Sequence, residues 1–240
     1  MFCPICSSLA ATTEPVTRDE KSRLNTYYIG WCAACDARFD QRIFSVDETE
    51  NLAIQTLVKH EPYKPGFIER EYETQLAING GMIEAYVRFC QIRDVYVEIG
   101  VGLGMLTRAA APSFGRAYGL DLDVEFAESA GPKPPNLEFW CHQEFLDNVS
   151  SDISALCAWH VVEHLHNPHG VLKPLFKRMP FSSIFFGQVP LFKFELVRND
   201  HFVWYTEKSL IRLTEAYGFY PIYFERDEVN DFLSFCFRRR

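Results

Sequence analysis

Three glycines alternate in Glu98-Ile-Gly-Val-Gly-Leu-Gly104, directly after the β-favouring run Val95-Tyr-Val, and Asp121 ends a second such run, Ala117-Tyr-Gly-Leu-Asp121. The order is strand, tight glycine turn, helix, strand, acid. Glycines at such a turn let the backbone pass close under a nucleoside, and an acid at the tip of the neighbouring strand can accept from two ribose hydroxyls. Asp121 lies 21 residues past Gly100, the distance needed to reach that tip. Met105 stands where a dinucleotide fingerprint carries its last glycine, so the spacing does not suit a pyrophosphate fed onto a helix N-terminus. The carboxylate of Glu98 would repel a pyrophosphate but can help orient a cationic amino-acid sulfonium. Together these features favour S-adenosylmethionine over a dinucleotide. A helix N-cap is the other role open to Asp121, and a plain turn the other role open to the glycines.

Four of the eight cysteines form two Cys-x-x-Cys pairs, Cys3 with Cys6 and Cys32 with Cys35, separated by 25 residues. Each pair can make a tight knuckle whose thiolates converge on one tetrahedral ion. Thr26–Trp31 enters the second knuckle as a strand and Ala37–Asp40 leaves it as another. This is zinc-ribbon order, and it predicts a zinc ion held by Cys3, Cys6, Cys32 and Cys35. The middle of the spacer, Thr12 to Leu24, reads as an exposed hairpin tip. Cys90, Cys141, Cys157 and Cys236 are scattered through apolar segments and read as free thiols.

The elements that must position these residues alternate. A chain of 240 residues that is 48% hydrophobic can bury one sizeable α/β core with a small appendage. Residues 1–45 form the zinc-ribbon-like module. Residues 46–92 read as a helical connector or cap, with an apolar cluster at Leu52, Ile54, Leu57 and Val58. A second helical pattern runs from Phe67 and is interrupted at Asn79-Gly80-Gly81. Residues 93–240 form the core. Strands are expected over Asp94–Ile99, Arg116–Leu120, Leu137–Cys141, Ile153–Ala158 and Ser183–Gly187. Helices are expected over Leu103–Ala111, Glu125–Ser129, Val171–Met179 (Pro174 in its first turn) and Ser209–Tyr217. Tyr220–Glu225 and Phe232–Arg238 close the chain as an antiparallel pair. The expectation is α/β: a Rossmann-like, seven-stranded, mostly parallel sheet with an antiparallel C-terminal hairpin. The net charge of −8 argues against nucleic acid as a partner. No apolar run reaches membrane-spanning length, and the first residues lack a signal-peptide pattern, so a cytoplasmic protein is expected.

At this point the chain resembles the class I S-adenosylmethionine-dependent methyltransferases over roughly residues 65–240. Glu98–Gly104 is similar to their first motif and Gly119-Leu-Asp121 to their second. Ala158-Trp-His-Val-Val-Glu-His-Leu-His-Asn-Pro168 resembles the fourth-strand motif of one large branch, and Thr206–Phe219 its closing helix and Gly-Phe step. The resemblance implies that Gly100, Gly102 and Gly104 line the methionine and ribose side, that Asp121 holds the ribose, and that Leu122 lies beside the adenine. It puts Gln143 or Glu144 where an acid often meets the adenine amine; Gln143 can still accept that hydrogen bond. Trp159 and His160 would face the methionine end. Sugar-modifying relatives can carry an N-terminal four-cysteine zinc module, which this chain resembles.

Methyl transfer from a sulfonium is an in-line displacement that needs approach, alignment and exclusion of water. A hydroxyl or carbon acid also needs a base, and histidine is the best tuned near neutral pH. His160 is nearest the expected methyl group. His201 opens His201-Phe-Val-Trp-Tyr205, the connection that folds over the substrate in this fold, and Tyr205 can share its proton. Glu163-His164 reads as a pair that caps the next helix and pins the fourth strand; His160, Glu163 and His164 are also metal-ligand types but lack one-face spacing. Phe192, Phe194, Phe202, Trp204 and Tyr205 read as an apolar cap or a stacking wall, or as core. The leading expectation is a methyltransferase acting on a small hydroxyl- or amine-bearing molecule, a sugar nucleotide among the candidates. One alternative is a ribosomal RNA base methyltransferase gripping RNA through its zinc module. Against it, residues 1–60 carry six Lys and Arg but eight Asp and Glu. Another alternative is a non-catalytic zinc-ribbon adaptor.

Overall fold

A computed structural model describes residues 1–12, 15–20, 23–42, 66–194, 197, 198 and 200–240. The apolar cluster expected at residues 52–58 lies outside them. The N-terminal strands are β1 (Ala11–Thr12), β2 (Val16–Glu20), β3 (Arg23–Tyr27), β4 (Ile29–Trp31) and β5 (Arg38–Asp40). β2 and β3 pair as the hairpin expected in the spacer.

The body starts with α1 (Phe67–Val87) and continues through β6 (Val95–Ile99), α2 (Met105–Ala110), β7 (Arg116–Asp121), α3 (Glu125–Ser129), β8 (Leu137–Cys141) and α4 (His142–Asn148). It then runs through β9 (Ala155–Trp159), α5 (Pro168–Lys177), β10 (Ile184–Pro190), β11 (Val203–Trp204), α6 (Glu207–Glu215), β12 (Phe219–Asp227) and β13 (Phe232–Arg239). The main sheet has the order β12-β13-β10-β9-β6-β7-β8. β10, β9, β6, β7 and β8 are parallel, and β13 and β12 join antiparallel. The expected seven-stranded architecture is therefore present.

Both faces of the central parallel strands β6, β9 and β10 are covered, which is why they read as nearly continuous apolar runs. Val95, Val97 and Ile99 face α5 and α6 through Leu172, Phe176, Leu210 and Leu213. Tyr96 faces the other way, toward Ile83, Tyr86 and Val87 of α1 and Leu106 of α2. The chain steps outward from β6 to β7 and β8, then crosses back to β9 on the opposite side of β6. That reversal leaves a crevice beyond the carboxyl ends of β6 and β9, the place where open α/β sheets bind ligands.

Three expectations change. α1 runs unbroken through Asn79-Gly80-Gly81. The space beside Gly80 and Gly81 is open, and burial of Ile83, Tyr86 and Val87 offsets the roughly 1 kcal/mol that each glycine costs a helix. α5 starts at Pro168 rather than Val171, so Pro174 lies inside it. Asn167 caps the earlier start by accepting from the Gly170 N–H at 3.1 Å, and proline suits the first helical position. Finally, the sequence pattern gives no sign of α4: only Phe145 of its seven residues is buried, too weak a periodicity to read.

The N-terminal unit is not a free appendage. Its sheet has the order β1-β4-β5-β11, so its last strand comes from the body. The Asp40 N–H donates to the Phe202 carbonyl at 2.9 Å. His169 reaches the Ile5 carbonyl at 2.8 Å through Nε2. Cys3, Ile5, Cys32, Cys35 and Phe39 share one apolar cluster with Val189, Leu191, Phe202 and Tyr205.

Candidate functional site

The glycine turn leaves β6 with Gly100, Gly102 and Gly104 at φ of 68°, 53° and 67°, the left-handed region that glycine alone enters without strain. A Cβ on Gly100 would lie 2.2 Å from Val161, and one on Gly104 would lie 2.6 Å from Phe139. Close packing thus demands these glycines as much as ligand approach does. Asp121, at the end of β7, turns back to the turn. Its Oδ2 accepts from the Gly102 N–H at 2.9 Å and its Oδ1 from the Leu122 N–H at 2.7 Å. Burial raises its pKa, an effect these two N–H groups partly offset. A carboxylate accepts about four hydrogen bonds, so two directions remain for a diol. Asp121 is in hydrogen-bond contact with the glycine turn and does not serve as a helix N-cap; α3 starts four residues later, after Val124.

Glu98 points beneath the turn instead of into the crevice. It is 3% exposed and accepts from Thr107 Oγ1 and, at 3.5 Å, from the Tyr96 hydroxyl. Burial pushes its pKa up to about 8. Leu122 is exposed beside the crevice. Gln143 lies in the first turn of α4, its amide nitrogen donating to Asp147 at 2.9 Å, which leaves its carbonyl oxygen as an acceptor.

Trp159 and His160 follow at the end of β9, on the other side of the switch point. His160 is held at φ 53°; its N–H donates to the Gln188 carbonyl at 2.9 Å, and its Nδ1 is 3.4 Å from Glu163 Oε1. Its ring meets Phe232 edge to face at 4.7 Å. Phe232 and Trp159 border a cavity of about 370 Å³ whose walls include Tyr86, Gln188, Tyr223, Glu225, Asp227 and Ser234. Tyr86 stacks on Phe186 and meets Trp159 edge-on.

His201 and Tyr205 lie behind this surface. His201 is 8% exposed, and burial together with the neighbouring His164 pushes its pKa down to about 4. Tyr205 is fully buried and its hydroxyl donates to the Val162 carbonyl at 3.3 Å. Of the aromatic run expected as a stacking wall, Phe202, Trp204 and Tyr205 are core, Phe192 packs on Trp204, and Phe194 is exposed. The rings that border the cavity are others: Tyr86, Trp159, Tyr223 and Phe232.

A family described as "Methyltransferase domain" matches residues 81–223, from the end of α1 through the glycine turn to β12. The chain belongs to this family. It is an S-adenosylmethionine-dependent methyltransferase. Solved structures agree in fold. One is a DhpI complex with SAH (TM-score 0.58, 16% identity, 82% of this chain and 98% of that one). Another is the N-methyltransferase NodS from Bradyrhizobium japonicum with S-adenosylhomocysteine (0.55, 16%, 80% and 98%). A third is magnesium protoporphyrin IX methyltransferase from Synechocystis (0.55, 11%, 80% and 95%). No curated protein matches the chain by sequence.

Two features around the crevice are not legible in the sequence. Arg108, on α2, is 2% exposed. It donates to the carbonyls of Leu103, Ala127, Gly131 and Pro132 and lies over the Phe139 ring, tying the glycine turn to the loop after α3. A buried arginine cannot be told from a surface one in a single sequence. The second is the segment that pins the turn after β9, residues 200–202. The Phe202 N–H donates to the Glu163 carbonyl at 2.8 Å, and His164 Nδ1 lies 2.5 Å from the Asp200 carbonyl.

The four N-terminal cysteines converge. Cys3 and Cys35 sulfurs are 3.6 Å apart, Cys6 and Cys32 sulfurs 3.5 Å apart, and all four lie within 4.8 Å of one another. The residues after the pairs, Ser7 and Asp36, adopt φ of 57° and 61°. Their N–H groups donate back to the carbonyls of Cys3 and Cys32. The two knuckles are thus copies of one local shape. A tetrahedron with metal–sulfur bonds of about 2.3 Å has edges of about 3.8 Å, so the four thiols fit a zinc ion. Among the described residues, no helix is long and apolar enough to cross a membrane.

Proposed function

We propose that this methyltransferase modifies a hydroxyl or amine of a small molecule whose reacting ring enters the cavity beside Trp159 and His160. The observation that carries this reading is the cavity itself. At about 370 Å³ it has room for a polar ring, and it adjoins the switch-point crevice through Trp159. Its rings offer stacking faces, while Gln188, Glu225, Asp227 and Ser234 offer partners for hydroxyls or a cationic amine. A sugar fits this chemistry, with any nucleotide attached to it left outside. Glu225 and Asp227 outnumber Arg88 on the cavity wall, and with the net charge of −8 this opposes an RNA backbone.

S-adenosylmethionine, when bound, supplies an electrophilic methyl group. In this reading Asp121 holds the ribose hydroxyls, Leu122 and Gln143 flank the adenine, and the turn from Gly100 to Gly104 approaches the methionine side. Glu98 acts from below by fixing the turn through Thr107. His160 faces the acceptor and receives its O–H or N–H hydrogen bond, with Glu163 setting the ring. His201 and Tyr205 hold the turn that carries His160. Cys3, Cys6, Cys32 and Cys35 bind a structural zinc that keeps β5 in place for β11.

The test is incubation with methyl-labelled S-adenosylmethionine and, in parallel, a small-metabolite extract or total RNA. Label entering the small-molecule fraction is expected. Label confined to RNA overturns the substrate assignment. His160→Ala is expected to lower turnover at least tenfold while leaving S-adenosylhomocysteine affinity within twofold; unchanged turnover removes His160 from the site.

A further inference from the structure

Behind His160, two segments bring together groups whose polar atoms are buried without partners. Glu163 sits in the turn after β9 and is 1% exposed; its Oε2 has no hydrogen-bond partner. His201 comes from the connection before β11, and its buried Nδ1 also has none. His164 joins them, its ring meeting that of His201 at 4.9 Å. One ligand atom from each of the three lies within 4.8 Å of the others.

Leaving a carboxylate oxygen and an imidazole nitrogen buried and unpaired is costly, and native sites place a hydrogen-bonding group or a cation there. We propose that Glu163, His164 and His201 form a binding site for a divalent first-row transition-metal ion, separate from the four-cysteine site. Two imidazoles and one carboxylate suit Zn²⁺, Fe²⁺ or Co²⁺ better than the oxygen-seeking Mg²⁺ or Ca²⁺. The surroundings have the form expected around such ligands. His164 Nδ1 lies against the Asp200 carbonyl at 2.5 Å, which leaves Nε2 as its lone-pair nitrogen, the usual tautomer of a ligating histidine. The nearly buried Asp200 carboxylate, 3.9 Å from His164 Nδ1, adds negative charge. Glu163 Oε1 is engaged with His160 at 3.4 Å, so only Oε2 is available. Metal–ligand bonds of about 2.0 Å give tetrahedral edges of about 3.3 Å, and ion binding draws the three groups slightly together. The ion would join the turn carrying His160 to the segment that continues into the N-terminal sheet. This assignment does not depend on the identity of the acceptor.

Co²⁺ titration of the full chain after dialysis against a mild chelator tests it. Cobalt on four thiolates shows intense thiolate-to-metal charge transfer, whereas cobalt on nitrogen and oxygen shows d–d bands alone. One equivalent of Co²⁺ binding without charge transfer is expected in the wild-type protein. In Glu163→Gln and in His201→Asn that equivalent is expected to weaken at least 100-fold, with S-adenosylhomocysteine binding retained as the check on folding. Absence of such an equivalent from the wild-type protein, which needs no variant to interpret, overturns the site and leaves a buried water as the partner of the two atoms. Unchanged affinity in both folded variants overturns the ligand assignment.

Discussion

Replacing Glu98 by glutamine should change how stability depends on pH, in a way that isolates one buried carboxyl. Glu98 keeps its place under the glycine turn with a pKa of about 8, against 4.5 for an ordinary glutamate. The cause is burial, reinforced by the charge of Asp121 and opposed by the hydrogen bonds from Thr107 and Tyr96. The folded protein therefore retains a proton that the unfolded chain releases between about pH 4.5 and 8. Stability from this group is complete below pH 4.5, declines as pH rises through that window, and is flat above it. At about 1.4 kcal/mol per pKa unit, the decline between pH 5 and pH 8 is about 3 kcal/mol. Glutamine has the same shape and still accepts from Thr107, but it has no proton to lose. Urea unfolding of wild type and Glu98→Gln at pH 5, 6, 7 and 8 gives the difference directly, because every other titrating group cancels. The variant is expected to gain about 3 kcal/mol on the wild type across that range. Two parallel curves would falsify the claim that Glu98 is held neutral in the fold.

Asp121→Ala removes the acceptor of the Gly102 N–H and the group assigned to the ribose; loss of charged hydrogen bonds of about 1.5–3 kcal/mol each should weaken S-adenosylhomocysteine binding at least tenfold by calorimetry, and equal affinity would place the ribose elsewhere. Gly100→Ala forces a Cβ to 2.2 Å from Val161 at φ 68° and should cost about 1–3 kcal/mol of stability, read as a lower Tm; an unchanged Tm would mean that Val161 moves aside freely. Cys32→Ser, or a strong chelator, should lower the Tm and alter the emission of the buried Trp204; a metal content of zero in the untreated protein would remove zinc from the account.

The core strands were legible because each is a short apolar run closed by a turn residue. The strand Leu137–Cys141 and the helix Glu125–Ser129 coincide with their expected bounds, and Gly100 and Asp121 fall at adjacent strand ends as the spacing requires. What was not legible depends on contacts between distant segments. β11 is two residues long and exists only because β5 pairs with it, more than 160 residues away in the chain. The aromatic residues from Phe202 to Tyr205 read equally as cap or core until the position of the N-terminal sheet decides it. Glu163, His164 and His201 share no helical face or strand. Their proximity comes from the chain returning from β10 across the turn after β9. Gly80 and Gly81 read as a break because glycine's cost to a helix is set locally, while the burial of Ile83, Tyr86 and Val87 that outweighs it comes from packing against the sheet and α2.

Because β11 belongs to the body and lies at the edge of the N-terminal sheet, the protein has no severable catalytic core. Deleting the first forty-two residues would bare the backbone edge of Val203 and Trp204 and expose side chains now 1% accessible, an invitation to intermolecular strand pairing. The two parts should therefore melt in one transition. A chimera that borrows the amino-terminal unit of a relative will need to borrow residues 200–205 along with it.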